Sequence, residues 1–358
     1  MVSEEDYMDK NITIIQIAKE SGVSIATVSR VLNGTVPVSP KTKERVQNVI
    51  NKYHYTPNPL AQGLILKQTK TLGVIVPDIT NPYFSTLFSE IEWSAHQSGY
   101  SVILCNTAFS AVSYASGERE KEETYFQMIL DKKVDGVIIA GGQIDLCEIS
   151  DSYIEALKRL ASTVPAVVIG RKLPDIPCTF VNKENDNGII MAIRYLASLG
   201  HKRIGFVGGE RGVYITESRL SAYHRTLLEL GLEDEPEFVA TSDYYMADGY
   251  NAALHILDCG APVTALLAMN DNVSLGALRA ISDRQLSVPG DIALISCDRF
   301  YDGDYLTPRL TSLDRHNDML GRYVIKLLLD EIQGLPAQDA IDFLPELVIR
   351  ESSGPARV

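Results

Sequence analysis

The chain has 358 residues with 45% hydrophobic and 22% charged side chains, a length that allows two or three domains with a substantial core. No apolar run reaches the roughly 18 residues of a membrane span, and the acidic opening, MVSEEDYMDKN, is not typical of a signal peptide. The five cysteines are scattered and form no C-x-x-C pair, which indicates buried thiols in a reducing cytoplasm. We therefore expect a cytoplasmic protein without disulfides, metal ligands or a membrane anchor.

The net charge of −13 is unevenly distributed along the chain. Residues 10–70 hold nine Lys or Arg and two acidic residues, whereas residues 71–358 carry a net charge of −16. A basic N-terminal segment on an acidic body is typical of a polyanion-binding head, although a merely solvated basic helix has the same composition.

The N-terminal segment predicts three short helices. Residues 13–16 fit a capping box, and Gly22 is placed to end the first helix. Ser24 can cap a second helix over residues 25–32, and Ser39-Pro40 is typical of the start of a third. The apolar positions at helical spacing are Ile17, Ala18, Ile25, Val28, Leu32, Val46, Val49, Ile50 and Tyr53, of which the last four are expected to face inward.

Such an arrangement is a helix-turn-helix unit, which inserts its second helix into the major groove of DNA. Lys41, Lys43 and Arg45 would hold phosphates, together with Thr13, Thr42 and the helix N-termini. The alternative is a plain helical bundle whose Ser and Thr residues serve only as caps.

From residue 71 onward, apolar strands alternate with helices. The predicted strands cover residues 73–76, 102–105, 136–140, 166–169, 204–207, 265–268 and 293–296, with a last strand in FLPELVIRES. The predicted helices cover residues 84–97, 118–131, 153–161, 186–199, 219–230, 247–258 and 272–284. This alternation predicts an α/β body of two doubly wound parallel-sheet lobes, similar to type I periplasmic binding proteins. The chain is expected to cross between the lobes near residue 181, near 300–310 and near 335–342.

Polar and aromatic side chains follow several of these strands, where ligands bind in doubly wound sheets. Carboxylate, amide and guanidinium groups suit the hydroxyls of a polyhydroxylated ligand, and aromatic rings suit the apolar face of a sugar. The candidate effector-binding residues are Asp78, Asn81, Tyr83, Phe84, Arg171, Arg219, Tyr244, Asn270 and Asp298. Arg219 is expected to lie at the start of a helix. Asn270 could instead serve only as a helix cap, and Tyr244 could serve only in packing within a lobe.

The stretches TIIQIAKESGVSIATVSRVLNG, VSPKTKERV and YHYTPNPLAQGL resemble the LacI/GalR (lactose-repressor) family of bacterial transcription regulators, and the body resembles that family's effector domain. The resemblance implies that Ile25, Ala26 and Arg30 read operator bases. It also implies that Leu64, in a hinge segment, wedges into the minor groove. The candidate DNA-contacting residues are Thr13, Ser24, Ile25, Ala26, Thr27, Ser29, Arg30, Asn33, Lys41, Thr42 and Leu64.

Motifs of catalysis are missing from the sequence. VGGERG lacks the G-x-G-x-x-G spacing, and there is no Walker Gly-Lys-Ser, no G-x-S-x-G elbow and no His at metal-ligand spacing. The sequence therefore predicts a protein that is not an enzyme and that needs no cofactor or metal.

Together these patterns predict a homodimeric repressor whose affinity for palindromic double-stranded operator DNA is controlled by a small molecule, a sugar or sugar derivative, bound between the lobes. Two alternatives are control by a phosphorylated carrier protein and a solute-binding protein that does not bind DNA. The predicted regions are an acidic tail (1–11), a helix-turn-helix domain (12–57), a hinge (58–70), a two-lobed effector-binding and dimerisation domain (71–350) and a C-terminal tail (351–358).

Overall fold

The computed structural model describes residues 12–33, 37–53, 55, 68–108, 122–182, 186–299, 301–335 and 343–356. The chain forms two compact units, residues 1–69 and residues 70–358. No helix within these ranges is long and apolar enough to cross a membrane.

The described residues of the first unit form three helices, α1 (Ile14–Ser21), α2 (Ile25–Asn33) and α3 (Pro40–Lys52). Thr13 and Gln16 form the predicted capping box, in which the Thr13 amide donates to Gln16 Oε1 at 2.8 Å. Gly22 ends α1 in the left-handed conformation, with φ of 65°, a backbone geometry that favours glycine. Ser39 caps α3 by accepting a hydrogen bond from the Thr42 amide at 3.3 Å. The predicted helix boundaries in this unit are therefore confirmed to within one residue.

A small apolar core holds the three helices together. Its buried residues are Ile17, Ala18, Val28, Val46 and Ile50. The prediction that Tyr53 faces inward was wrong, because α3 ends at Lys52 and the Tyr53 ring is 41% exposed, with Lys52 Nζ 4.7 Å from its centroid. Tyr55 packs against the core instead, and its amide donates to the Ile50 carbonyl oxygen at 3.0 Å.

The first lobe of the body is built on a parallel five-stranded sheet with the order β2-β1-β3-β4-β5. Its strands are β1 (Thr71–Val76), β2 (Ser101–Asn106), β3 (Gly136–Ala140), β4 (Ala166–Ile169) and β5 (Thr179–Val181). Its helices are α4 (Pro82–Gln97), α5 (Glu122–Asp131) and α6 (Asp151–Thr163). Buried side chains cover both faces of the sheet, which explains why its central strands are continuous apolar runs.

The second lobe carries a six-stranded sheet with the order β11-β10-β9-β8-β6-β7. Its strands are β6 (Ile204–Val207), β7 (Val239–Ala240), β8 (Ala265–Ala268), β9 (Ala293–Ser296), β10 (Thr311–Asp314) and β11 (Glu346–Val348). The helices in this part of the chain are α7 (Asn187–Ser198), α8 (Tyr214–Leu230), α9 (Met246–Asp258), α10 (Asp271–Asp283) and α11 (Asn317–Ile332). The two-lobed α/β architecture confirms the predicted fold class.

Helices α9 and α10 approach each other closely through two glycines. A Cβ atom on Gly276 would overlap the Met246 carbonyl oxygen, and one on Gly249 would overlap the backbone of Val273. The absence of these side chains lets the N-termini of both helices lie together, next to the carboxyl ends of β7 and β8.

Several predicted boundaries in the body were wrong. The second crossing does not occur near 300–310, because β10 first joins the second sheet and the chain leaves it after Asp314. Helix α11 was not predicted; it returns to the first lobe and packs on α4 with Leu320, Val324 and Leu328 buried. Strand β11 runs antiparallel to β10, so the second sheet is not purely parallel. The helix predicted from Arg219 begins five residues earlier, at Tyr214.

Candidate functional site

Helix α2 presents the predicted base-reading residues on its solvent-exposed side. Ile25 is 47% exposed, and Ala26 and Arg30 are exposed, while Val28 on the opposite side is completely buried. Ile25 is not part of the apolar core of this unit. It is instead available for apolar contact with a partner surface such as a thymine methyl group.

The hydroxyl groups of this unit are mostly engaged in helix caps. Ser24 Oγ lies 2.9 Å from Thr27 Oγ1 and accepts a hydrogen bond from the Thr27 amide at 3.2 Å. Ser39 Oγ donates to Thr42 Oγ1 at 2.8 Å. Thr13, Ser24 and Lys41 are exposed, while Thr27, Ser29 and Thr42 are half-buried. The side chain of Asn33 and the whole of Leu64 lie outside the described residues.

Basic side chains are spread over the surface of the first unit. Lys19, Arg30, Lys41, Lys43 and Arg45 are exposed. Lys52 pairs with Glu20 at 2.6 Å, so it contributes less net charge to this surface. Exposed cations of this kind release counterions when they meet phosphates, which makes binding to DNA dependent on salt.

A cleft between the two lobes of the body encloses about 1160 Å³ of empty space, including its open mouth. It lies at the carboxyl ends of the strands, where each sheet reverses its strand order, between β1 and β3 and between β6 and β8. All nine residues predicted to bind the effector line this cleft.

The wall from the first lobe is aromatic and polar. Asn81 caps α4 by accepting a hydrogen bond from the Tyr83 amide at 3.0 Å. Tyr83 and Phe84 pack edge to face, with ring centroids 4.8 Å apart. The cap fixes the start of α4 and therefore the position of both half-buried rings.

The wall from the second lobe is centred on a buried cluster of three charges. Asp298 Oδ1 accepts a hydrogen bond from Arg219 Nη2 at 3.2 Å and lies 3.1 Å from Arg315 Nε. Both arginines are at least 95% buried, and each also donates to a backbone carbonyl oxygen, Arg219 to Met269 and Arg315 to Cys297. The cluster therefore presents a carboxylate with a fixed orientation to the cleft.

Asn270 and Tyr244 have structural contacts within the cleft wall. Asn270 Oδ1 accepts from the Val273 amide at 2.8 Å and so caps α10, while its Nδ2 donates to the Tyr244 carbonyl oxygen at 3.0 Å. The Tyr244 hydroxyl lies 2.9 Å from Thr216 Oγ1, and burial raises the pKa of Tyr244 above its usual value. Each residue thus helps to build the wall as well as lining it.

Two sets of contacts join the lobes across the cleft. Tyr245, from the second lobe, donates its hydroxyl hydrogen to Asp78 Oδ2 at 3.0 Å. At a second place the Cys147 amide donates to the Gly212 carbonyl oxygen at 2.8 Å. Arg171 Nη2 donates to the carbonyl oxygens of Leu146 and Cys147 at 2.7 and 2.9 Å, so Arg171 supports this second contact.

A buried carboxyl group lies behind the glycine-rich loop that lines the cleft after β3. Glu122 accepts hydrogen bonds from the Gln143 amide at 2.9 Å and from the Tyr153 hydroxyl at 3.3 Å. Burial raises the pKa of Glu122 to about 8, and the charges of Asp145 and Glu123 act in the same direction. The left-handed Gly142 makes room for this carboxyl group, because a Cβ atom there would overlap Glu122 Oε2.

The sequence did not identify several residues that line the cleft. Arg315 was missed because the preceding strand, Thr311–Asp314, is short and polar in sequence. The other missed charged or hydroxylated residues in the lining are Asp145, Glu210, Tyr214, Asp243 and Tyr245. Asp145, Glu210 and Asp243 also follow strands, a signal that could have found them.

The described ranges hold no group of three or more His, Cys, Asp or Glu that could bind a metal ion. Burial raises the pKa of the Cys105 and Cys297 thiols to about 11. These buried thiols are therefore protonated near neutral pH.

The two units match two known domain families. A family model of bacterial regulatory proteins of the lacI family matches residues 13–58, and one of periplasmic binding protein-like domains matches residues 193–353. A head of the first kind followed by a two-lobed body of the second kind defines a DNA-binding regulator that responds to a small molecule.

Relatives match along almost the entire chain. The transcriptional repressor PurR of Haemophilus influenzae (strain PittEE) is 31% identical, with 95% of this chain and 98% of PurR covered. The transcriptional regulator DegA of Bacillus subtilis (strain 168) is 32% identical, with 96% and 98% covered. A crystal structure of the lac repressor dimer bound to operator and the anti-inducer ONPF is 27% identical, with 96% and 99% covered and a TM-score of 0.81.

The chain belongs to the LacI family of bacterial regulatory proteins. It is a DNA-binding transcription regulator under the control of a small-molecule effector, and it is not an enzyme.

Proposed function

We propose that this regulator is a cytoplasmic homodimeric repressor that reads a palindromic operator through Ile25, Ala26 and Arg30. The support is their exposure on one side of α2, the buried Val28 behind them and the basic residues around them. Lys41 and the amides at the capped N-termini of α1, α2 and α3 then contact phosphates, together with Thr13, Ser24, Thr27, Ser29, Asn33 and Thr42. Leu64 inserts into the minor groove as the family resemblance implies.

The effector in this proposal is a polyhydroxylated small molecule, a sugar or sugar derivative. The observation that carries it is the convergence of Asp78, Asn81, Tyr83, Phe84, Arg171, Arg219, Tyr244, Asn270 and Asp298 on one cleft. The Asp298 carboxylate, oriented by two arginines, is suited to accept hydrogen bonds from ligand hydroxyls, and the Tyr83 and Phe84 rings are suited to a sugar face. The lac repressor structure, a dimer bound to operator and an anti-inducer, supports the same assembly and mode of action.

The DNA half of the proposal is tested by selecting an operator from random duplexes and comparing Arg30→Ala with Lys19→Ala. Both variants remove one exposed cation from the head, and Lys19 lies near the end of α1. We expect Arg30→Ala to lose about 1–3 kcal/mol of preference for the operator over a scrambled duplex, measured by fluorescence anisotropy at fixed salt.

The control Lys19→Ala should weaken binding to both duplexes nearly equally, since a phosphate contact carries no base information. If Arg30→Ala keeps the wild-type preference while its melting temperature is unchanged, the base-reading role proposed for Arg30 is wrong.

A further inference from the structure

The lining of the effector cleft has an excess of negative charge. It contains five carboxyl groups, Asp78, Asp145, Glu210, Asp243 and Asp298, but three guanidinium groups, Arg171, Arg219 and Arg315. Burial and the neighbouring charges of Asp248 and Asp78 raise the pKa of Asp243. Buried Asp271 lies just behind this wall; burial and the charge of Asp298 raise its pKa to about 7, so it is partly ionised at neutral pH. The electrostatic potential of the cleft is therefore unfavourable to an anion.

The three arginines are already engaged with protein acceptors. Arg219 and Arg315 share the Asp298 carboxylate and also donate to backbone carbonyl oxygens. Arg171 donates to the carbonyl oxygens of Leu146 and Cys147, and its guanidinium lies 5.4 Å from the Tyr214 ring centroid. A phosphate or carboxylate on a ligand would therefore compete with protein acceptors for these guanidinium groups.

Helix N-termini offer an anion little compensation in this cleft. Helices α8 and α9 begin beside it without side-chain caps, but each has a protein carboxylate in its first turn, Glu217 and Asp248 respectively. Glu217 accepts the Gly212 amide at 2.9 Å, and Asp243 accepts the Tyr244 amide at 2.8 Å. Each of these helix starts thus already has a protein carboxylate beside it, and Glu217 also pairs with Arg211 at 2.8 Å.

We propose that the cleft selects against anionic ligands, so that the effector is a polyhydroxylated compound that carries neither a phosphate nor a carboxylate. The inference rests on the proposed effector site and narrows its ligand class. Unphosphorylated sugars and nucleosides fit this class, whereas sugar phosphates and nucleotides do not. Glu210 and Asp243 line the cleft near the starts of α8 and α9 and add to its negative charge.

The test uses the full chain and matched pairs of compounds that differ by one phosphate: ribose and ribose 5-phosphate, glucose and glucose 6-phosphate, inosine and inosine monophosphate. Thermal shift identifies the pairs that bind, and titration calorimetry measures both members. In every pair that binds, we expect the unphosphorylated member to bind at least tenfold more tightly, about 1.4 kcal/mol.

A double variant, Glu210→Gln with Asp243→Asn, should reduce the ratio of the phosphorylated to the unphosphorylated dissociation constant at least threefold. The control Glu155→Gln removes one acidic charge from α6, on a side chain that is 70% exposed and outside the cleft lining, and should leave the ratio unchanged. A phosphorylated member that binds as tightly as its partner overturns the inference but leaves the effector site standing. If no compound of either kind shifts the melting temperature, the proposed polyhydroxylated effector is wrong, and the inference falls with it.

Discussion

Replacement of Arg219 by Met tests whether the buried cluster of three charges holds the second lobe together. Arg219 is 3% exposed and its partner Asp298 is 15% exposed, so water screens their attraction weakly. The variant also leaves the Met269 carbonyl oxygen without the Arg219 hydrogen bond. Removal of one partner from a buried pair costs about 3–5 kcal/mol, and because Arg315 remains beside Asp298 we expect about 2–3 kcal/mol here.

The same helix supplies a matched control. Arg225 lies six residues after Arg219 on α8 and pairs with Asp186 at 2.7 Å, but its side chain is 46% exposed. Water and salt screen exposed pairs, so Arg225→Met should destabilise the fold clearly less than Arg219→Met. Urea unfolding followed by circular dichroism, at one pH and salt concentration, measures both free energies. If the free energies of unfolding of the two variants agree to within about 0.5 kcal/mol, the claim that the buried cluster stabilises the second lobe more than an exposed ion pair is wrong.

Two further perturbations address the closed cleft and its buried carboxyl group. Tyr245→Phe removes the hydrogen bond to Asp78 across the cleft and should weaken effector binding about two- to tenfold by calorimetry, whereas an unchanged affinity would show that this contact does not stabilise the closed form. Glu122 has a pKa of about 8 in the folded chain, above its ordinary 4.5, so the folded state binds the proton more tightly and its stability should fall as the pH rises between these values. The glutamine side chain of the Glu122→Gln variant stays neutral, so the free energy of unfolding of this variant should change less between pH 6 and 9 than that of the wild type. An equally steep loss of stability in the variant would contradict the raised pKa of Glu122.

Much of the fold was predictable because buried parallel strands are continuous apolar runs. Three strands begin and end at the predicted residues: Ala166–Ile169, Ala265–Ala268 and Ala293–Ser296. Strand β10, TSLD, was missed because its polar side chains are buried and satisfied by distant residues, as when Thr311 Oγ1 lies 2.7 Å from Ser353 Oγ. Such partners come from the far end of the chain and leave no local pattern.

The missed strand also explains why Arg315 was absent from the predicted cleft lining. Arg315 follows β10, so without that strand the sequence does not place Arg315 beside Asp298. The other cleft residues follow strands or begin helices whose signals are local, such as the Asn81 and Asn270 caps. Tyr53 was wrongly predicted to face inward, because its helical spacing from the core residues extends one residue beyond the end of α3.

Coupling between the cleft and the operator is the central claim of this account. The direct measurement is the operator affinity of the full chain, by fluorescence anisotropy at fixed salt, with and without a saturating sugar or nucleoside found by thermal shift. We expect the ligand to change the operator dissociation constant by about 5- to 150-fold, and the operator to change the ligand dissociation constant by the same factor. A ligand that binds the cleft while leaving the operator affinity unchanged would contradict the account.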